Sequence, residues 1–196
     1  MKFLKLDTYE EAIKKIEGSI SFELKSEDTP ISSSLNRILS EDLISPINVP
    51  DYPKSQMDGY AVRSEDTFEA SETSPVKLKL IESVNAGNTP RYFIKKNTCS
   101  YVATGAPVPD GADSVVMIEN TQLQGDCITV SRGVTPGENI MKVGYDIKKG
   151  NHVLPKNTLV TPRVIGLLSG LGLKKVKVYR KLKIGIFSTG NEIITP

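Results

Sequence analysis

Pro50-Asp51-Tyr52-Pro53-Lys54-Ser55-Gln56-Met57-Asp58-Gly59-Tyr60-Ala61-Val62 opens a new architectural unit in this chain. Proline fixes its own φ and biases the preceding residue toward extended backbone, so Pro46, Pro50 and Pro53 keep the entry out of helix and mark a domain crossing. Asp58-Gly59 then sets a carboxylate beside backbone that a ligand can approach closely. Taken alone, the same pair is equally a turn signal. Downstream, Val76-Lys77-Leu78-Lys79-Leu80 alternates as a half-buried strand does. Residues 92–94, 99–103, 114–119 and 127–131 supply further strands at intervals of roughly ten residues. Gln124-Gly125-Asp126 is a hairpin turn. Short strands punctuated by Gly, Pro and Asn/Asp predict a small barrel or sandwich over residues 46–138.

On either side the pattern changes. Thr8-Tyr9-Glu10-Glu11 is a capping box, and Ala12, Ile13, Ile16 and Ile20 draw an apolar stripe along a helix that ends near Gly18. Residues 32–38 suggest a short helix and 39–44 a weak strand. After Gly137-Glu138-Asn139-Ile140, Thr161-Pro162 places an N-cap before a proline at the first helical position. Val164, Ile165, Leu167 and Leu168 form the buried stripe of that helix, and residues 175–179 form a strand. The expected fold class is therefore α+β, mainly β. Residues 182–187 read as an apolar strand ending in Ser188-Thr189-Gly190, as strands do in α/β sheets, but a parallel neighbour would need a crossover of a dozen or more residues. The expectation is an N-terminal fragment that stops just inside a further domain.

Composition narrows the function. The net charge of +2 over 196 residues gives no bulk electrostatic case for a nucleic-acid partner. Lys174, Lys175, Lys177, Arg180, Lys181 and Lys183 read as solvated strand faces, and Arg37 as an ion pair internal to its domain. Cys99 and Cys127 lack the spacing of a zinc site and read as buried small hydrophobes. The sole histidine, His152, follows a Lys-Gly-Asn turn, which disfavours imidazole base catalysis. No apolar run approaches a membrane span, and the N-terminus is too short in its apolar part for a secretion signal, so a cytoplasmic protein is expected.

Four segments carry short oxygen-bearing side chains beside a glycine where a strand ends: 55–61, Thr104-Gly105-Ala106-Pro107-Val108-Pro109-Asp110-Gly111-Ala112-Asp113, Gly144-Tyr145-Asp146-Ile147 and Ser188-Thr189-Gly190-Asn191-Glu192. Together with Gly-Glu-Asn-Ile at 137–140, and in this order, they resemble the molybdopterin molybdenumtransferase family, which comprises the MoeA proteins and the E domain of gephyrin. The resemblance runs from about Leu35 to Pro196. Gln56 departs from it, since the family often has Ala there.

This resemblance implies a discontinuous, elongated dimerisation domain (1–45 and 139–178), an inserted small β domain (46–138) and the start of an α/β molybdopterin-binding domain (179–196). It implies an enzyme that inserts molybdate into adenylylated molybdopterin and releases AMP with Mg2+ present. Asp58, Thr104, Asp146 and Glu192 are then the candidate catalytic residues, with Asp58 and Glu192 on the metal and Ser55, Gly59 and Gly105 along the cofactor. Hard carboxylate oxygens suit magnesium held against phosphate; Thr104 can donate to an anionic oxygen. Asp146 is equally compatible with a packed corner between domains, and Asp113 with a loop tie. The implied partners are a second copy in a homodimer, the small-molecule substrate and, as a further candidate, the molybdopterin adenylyltransferase, with no nucleic acid and no membrane insertion. The fragment alone is expected to be inactive. A gephyrin-type scaffold or a tungstate-handling paralogue are the alternative readings.

Overall fold

The computed structural model describes residues 7–21 and 23–186, so the 188–192 motif and its Glu192 lie outside the described residues. The chain divides into two compact units, Met1–Leu43 with Leu154–Pro196, and Ile44–Val153.

In the first unit, α1 (Tyr9–Ser19) begins as its capping box requires: the Thr8 hydroxyl accepts from the Glu11 N–H, and the Glu11 carboxylate accepts from the Thr8 N–H. Its apolar stripe does not find a core, because no residue of α1 is buried. Strand β1 (Ser26–Pro30) pairs antiparallel with β12 (Lys175–Tyr179), from Ser26 opposite Tyr179 to Pro30 opposite Lys175. Where a short helix is expected at 32–38, only a 3-10 turn forms at Ile31–Ser33. Helix α2 (Pro162–Gly170) is capped by Thr161, whose hydroxyl accepts from the Val164 N–H. It buries Val164 and Leu168 against Leu39, Val160, Val176 and Val178. Filling that cluster with Leu168 alone removes enough apolar surface from water to contribute about 2 kcal/mol. Arg37 is the internal ion pair the sequence suggests: its guanidinium donates to the Glu27 carboxylate and to the Tyr179 carbonyl, joining β1 to β12. Residues 181–186 carry no strand and are exposed, since the apolar run finds no neighbouring strand among the described residues.

The second unit is built on one six-stranded sheet. Its strands are β4 (Gly59–Val62), β5 (Val76–Val84), β6 (Thr98–Val102), β7 (Ser114–Met117), β8 (Thr121–Gln124) and β9 (Cys127–Val130), in the order β7-β4-β6-β5-β9-β8. All pairs are antiparallel except β5 with β6, for which residues 85–97 provide the long crossover that parallel pairing needs. The edge strands β7 and β8 are separated in sequence only by the turn Ile118–Asn120. A flat sheet of six strands would hold its edges about 24 Å apart, whereas so short a link reaches about 14 Å. The sheet therefore curls, which is the physical content of the barrel-like expectation. Its interior packs Tyr60, Val62, Leu78, Cys99, Val116, Ile128 and Val130. Burial pushes the Cys99 thiol up to about 12, with a smaller contribution from Cys127, so it behaves as a small hydrophobe. The hairpin at Gly125-Asp126 joins β8 to β9 as read.

One boundary differs from expectation. The sequence placed the return to the first domain at 139, but residues 139–153 stay with the β unit. Strand β10 (Ile140–Met141) pairs with β3 (Lys54–Ser55), and Ile140 packs against Ala61, Val84, Val102 and Val115. The segment then continues alongside residues 49–50, through hydrogen bonds from Gly144 N–H to Pro50 O and from Asp146 N–H to Val49 O. Strand β2 (Leu43–Ile44) pairs with β11 (His152–Leu154). The Pro/Gly punctuation at 136–137 marks a turn inside the unit and not its end. Residues 92–94 form no strand either: Ile94 is buried and its N–H donates to Asp110 O, so its polar group is satisfied outside any ladder. Among the described residues no helix is long and apolar enough to cross a membrane.

Candidate functional site

Two turns of the β unit meet at Asp58. The first joins β3 to β4 and carries Gln56, Met57 and Asp58, all exposed. The second runs from Ala103 to Ala106 and is closed by Ala106 N–H on Ala103 O, with Gly105 at φ +80 as its third residue. A turn of this kind needs positive φ at that position, which is why glycine stands there. Its closing bond leaves the N–H groups of Thr104 and Gly105 available to partners on the neighbouring turn. Gly105 N–H donates to Ser55 O, and Ser55 N–H donates to Ala106 O, which locks the two turns side by side.

Thr104 then closes on the carboxylate. Its N–H donates to Asp58 Oδ1 at 2.7 Å and its Oγ1 donates to the same oxygen at 3.0 Å. These donors, the N–H first, hold the Asp58 carboxyl below its ordinary value, against a smaller opposing contribution from desolvation. Oδ1 is committed twice, while Oδ2 has no partner among the described residues and faces solvent. The Thr104 hydroxyl hydrogen, expected to reach an anionic oxygen, is instead engaged by Asp58. Thr104 orients the carboxylate and stabilises its charge.

Because the folded carboxyl titrates below the unfolded one, its contribution to stability is complete above the unfolded value and is lost as pH falls through the folded value. Thr104→Val removes the hydroxyl donor but keeps the N–H. A carbon-13 NMR titration of the Asp58 carboxyl should then move up, toward but not reaching its ordinary value. Titration of the variant at the wild-type value would show that the hydroxyl is not the donor seen here.

The remaining sequence candidates separate. Ser55 is 2% exposed, and its hydroxyl donates to Met57 O at 2.6 Å, so it shapes the Asp58 turn and is not open to a ligand. Gly59 is buried, and a Cβ there would lie 2.1 Å from the Val116 carbonyl oxygen. The close packing of β4 on β7 by itself requires glycine there. Gly105 does lie beside open space, with nothing within 4 Å of where a Cβ would stand. Asp146 is exposed, six residues beyond Ile140 along the segment that follows residues 49–55. That segment turns at residues 142–145, closed by Tyr145 N–H on Lys142 O, and Asp146 N–H donates to Val49 O. Asp113 is the loop tie: its carboxylate accepts from the Ser64 N–H and hydroxyl and from the Ser114 hydroxyl.

No group of three or more His, Cys, Asp or Glu among the described residues is disposed to hold a metal. Magnesium is commonly bound through one or two carboxylates, substrate phosphates and retained waters. The free Oδ2 of Asp58 fits the role of one such ligand. Sequence reading missed the residues that frame it: Ile118, whose N–H donates to Asp58 O, and Asn139, whose carbonyl accepts from Gln56 N–H. A concavity of about 580 Å3 is lined by Tyr52, Pro53, Arg91, Tyr92, Pro107 and Val108, and neither Asp58 nor Thr104 is among its lining residues.

Comparison with known proteins adds the following. A family model described as the MoeA N-terminal region (domain I and II) matches residues 7–172. The chain is 38% identical over 188 residues to a molybdopterin molybdenumtransferase of Haemophilus influenzae, covering 95% of this chain and 45% of that protein. It is 39% identical over 168 residues to the Bacillus subtilis protein of the same name, covering 84% of this chain and 39% of that protein. A crystal structure of the molybdopterin biosynthesis MoeA protein of Pyrococcus horikosii superposes with a TM-score of 0.80 at 40% identity, over 90% of this chain and 45% of the other. The chain spans less than half the length of the curated relatives it matches.

Proposed function

The chain belongs to the MoeA N-terminal family, and from that membership we propose that it forms part of a molybdopterin molybdenumtransferase, which inserts molybdate into adenylylated molybdopterin and releases AMP. The observation that carries this reading is the Asp58–Thr104 pair: a charged, exposed carboxylate with one oxygen fixed by two donors and the other presented to solvent. Asp58 would be one carboxylate ligand of Mg2+, which would supply positive charge against the substrate phosphate. Thr104 keeps Asp58 ionised and fixes its direction. Gly105 leaves room above the turn for substrate to approach. Asp146 and Glu192 are the further candidate residues for the reaction, and the protein acts as a homodimer in which this β unit faces a neighbour's cofactor domain.

The test is AMP release and molybdenum retention by the full-length protein, given adenylylated molybdopterin, Mg2+ and molybdate or tungstate. Turnover with molybdate, and none by the 196-residue chain alone, is the expected result. A preference for tungstate would point to a paralogue, and no turnover with either oxyanion would leave the scaffold reading in its place.

A further inference from the structure

The Asp58 turn is too short to hold itself. Between Ser55 and Gly59 its backbone makes two contacts beyond the two turns: Asp58 O accepts from Ile118 N–H at 3.0 Å, and Gln56 N–H donates to Asn139 O at 2.9 Å. The second extends the β3–β10 pairing by one residue, since Ile140 stands opposite Ser55. Asn139 sits at φ +59, in the left-handed region that Asn tolerates better than most residues. Its Nδ2 donates to Val115 O at 2.8 Å. Val115 lies on β7 opposite Ala61 of β4, the strand into which the Asp58 turn runs.

The neighbours of Asn139 are tied down as well. Glu138 O accepts from Val115 N–H, and the Glu138 carboxylate is engaged by Thr135 and Arg132. Asn139 therefore couples a firmly held strap on β7 to the residue two before Asp58.

We propose that Asn139 is a positioning residue, which sets the Asp58 turn against β7 through its carbonyl and side-chain amide and so delivers the Asp58 carboxylate to Thr104. The inference rests on the reading of Asp58 as the functional carboxylate. A loosened turn lets the carboxylate drift from donors that need about 2.7–3.2 Å, and a misplacement of about 1 Å is enough to lower a rate by up to about 100-fold.

Two variants test this. Asn139→Ala removes the side-chain donor and disfavours the left-handed backbone; Asn139→Gly removes the donor but restores that backbone freedom, which protects folding. Carbon-13 titration of the Asp58 carboxyl in this chain should move up from its depressed wild-type position in both, more in the Ala variant. In the full-length protein kcat for AMP release should fall by about 10- to 100-fold in Asn139→Ala and less in Asn139→Gly, with KM within about twofold. A purely structural role for Asn139 would lower the melting temperature yet leave the Asp58 titration in place. That result, or wild-type kcat in a folded Asn139→Gly protein with unmoved titration, overturns the proposal. Full activity in Asp58→Asn would instead remove the reading beneath it, and the NMR titration of the Asn139 variants would still decide whether Asn139 positions the carboxylate.

Discussion

Asp58→Asn should lower AMP release by the full-length protein about 100- to 1,000-fold while leaving it folded, with only a small change in stability. The two halves of this expectation have separate origins. The amide is nearly isosteric with the carboxylate, and its oxygen can still accept from Thr104 N–H and Oγ1, so the junction of the two turns survives. What disappears is the negative charge on the outward oxygen. If that charge holds a cation against phosphate, its removal forfeits roughly 3–4 kcal/mol of transition-state stabilisation, at 1.36 kcal/mol per tenfold in rate. Because the wild-type carboxyl titrates below its ordinary value, protonation of Asp58 cannot account for any activity lost between neutral pH and mildly acid conditions. Steady-state AMP release and a urea melt of the same preparation check both halves. Wild-type turnover by the variant would end the case for Asp58.

Gly59→Ala should have the largest effect on folding, about 3 kcal/mol or more, with a fall of about 10 °C in melting temperature. The added Cβ would stand 2.1 Å from Val116 O, 2.9 Å from Val116 C and 3.1 Å from Met117 Cα. All three are backbone atoms of β7, so no side chain can swing aside. Relief requires moving β7 off β4, and β4 lies between β7 and β6 in the sheet. The same shift would carry away Val115 and Ile118, through which Asn139 and the Asp58 carbonyl are held. Gly105→Ala is the contrasting case. There the new methyl meets open space, and the penalty is the positive φ alone, about 1–2 kcal/mol. Equal melting temperatures for the two variants would refute the packing account of Gly59.

Local chemistry was legible in the chain where it acts over a few residues. Thr8 and Glu11 announce the start of α1, Thr161-Pro162 that of α2, and Gly125-Asp126 the β8–β9 hairpin, because caps and tight turns are closed by groups no more than four positions apart. The Asp58-Gly59 and Thr104-Gly105 pairs could likewise be picked out as short polar side chains beside backbone suited to turns. Why each glycine is there was not legible. Gly59 answers to a carbonyl 57 positions away on β7, whereas Gly105 answers to its own φ.

The apolar stripe of α1 shows the same limit from the other side. Ile16 and Ile20 have helical spacing, yet they remain 54% and 58% exposed, since spacing says which face is apolar and not what covers it. The end of the β unit was misplaced for a related reason. A boundary at 138/139 cuts through the segment that pairs as β10 with β3, more than eighty positions earlier.

The order of residues thus determined which groups could act: a carboxylate, a hydroxyl, and turns able to present them. Only tertiary structure decided that Thr104 serves Asp58, that Ser55 is closed off, and that Asn139 stands behind both. These are pairings between segments 46 to 83 positions apart. Their partners are chosen by strand register and sheet curvature, which no local run of side chains encodes by itself.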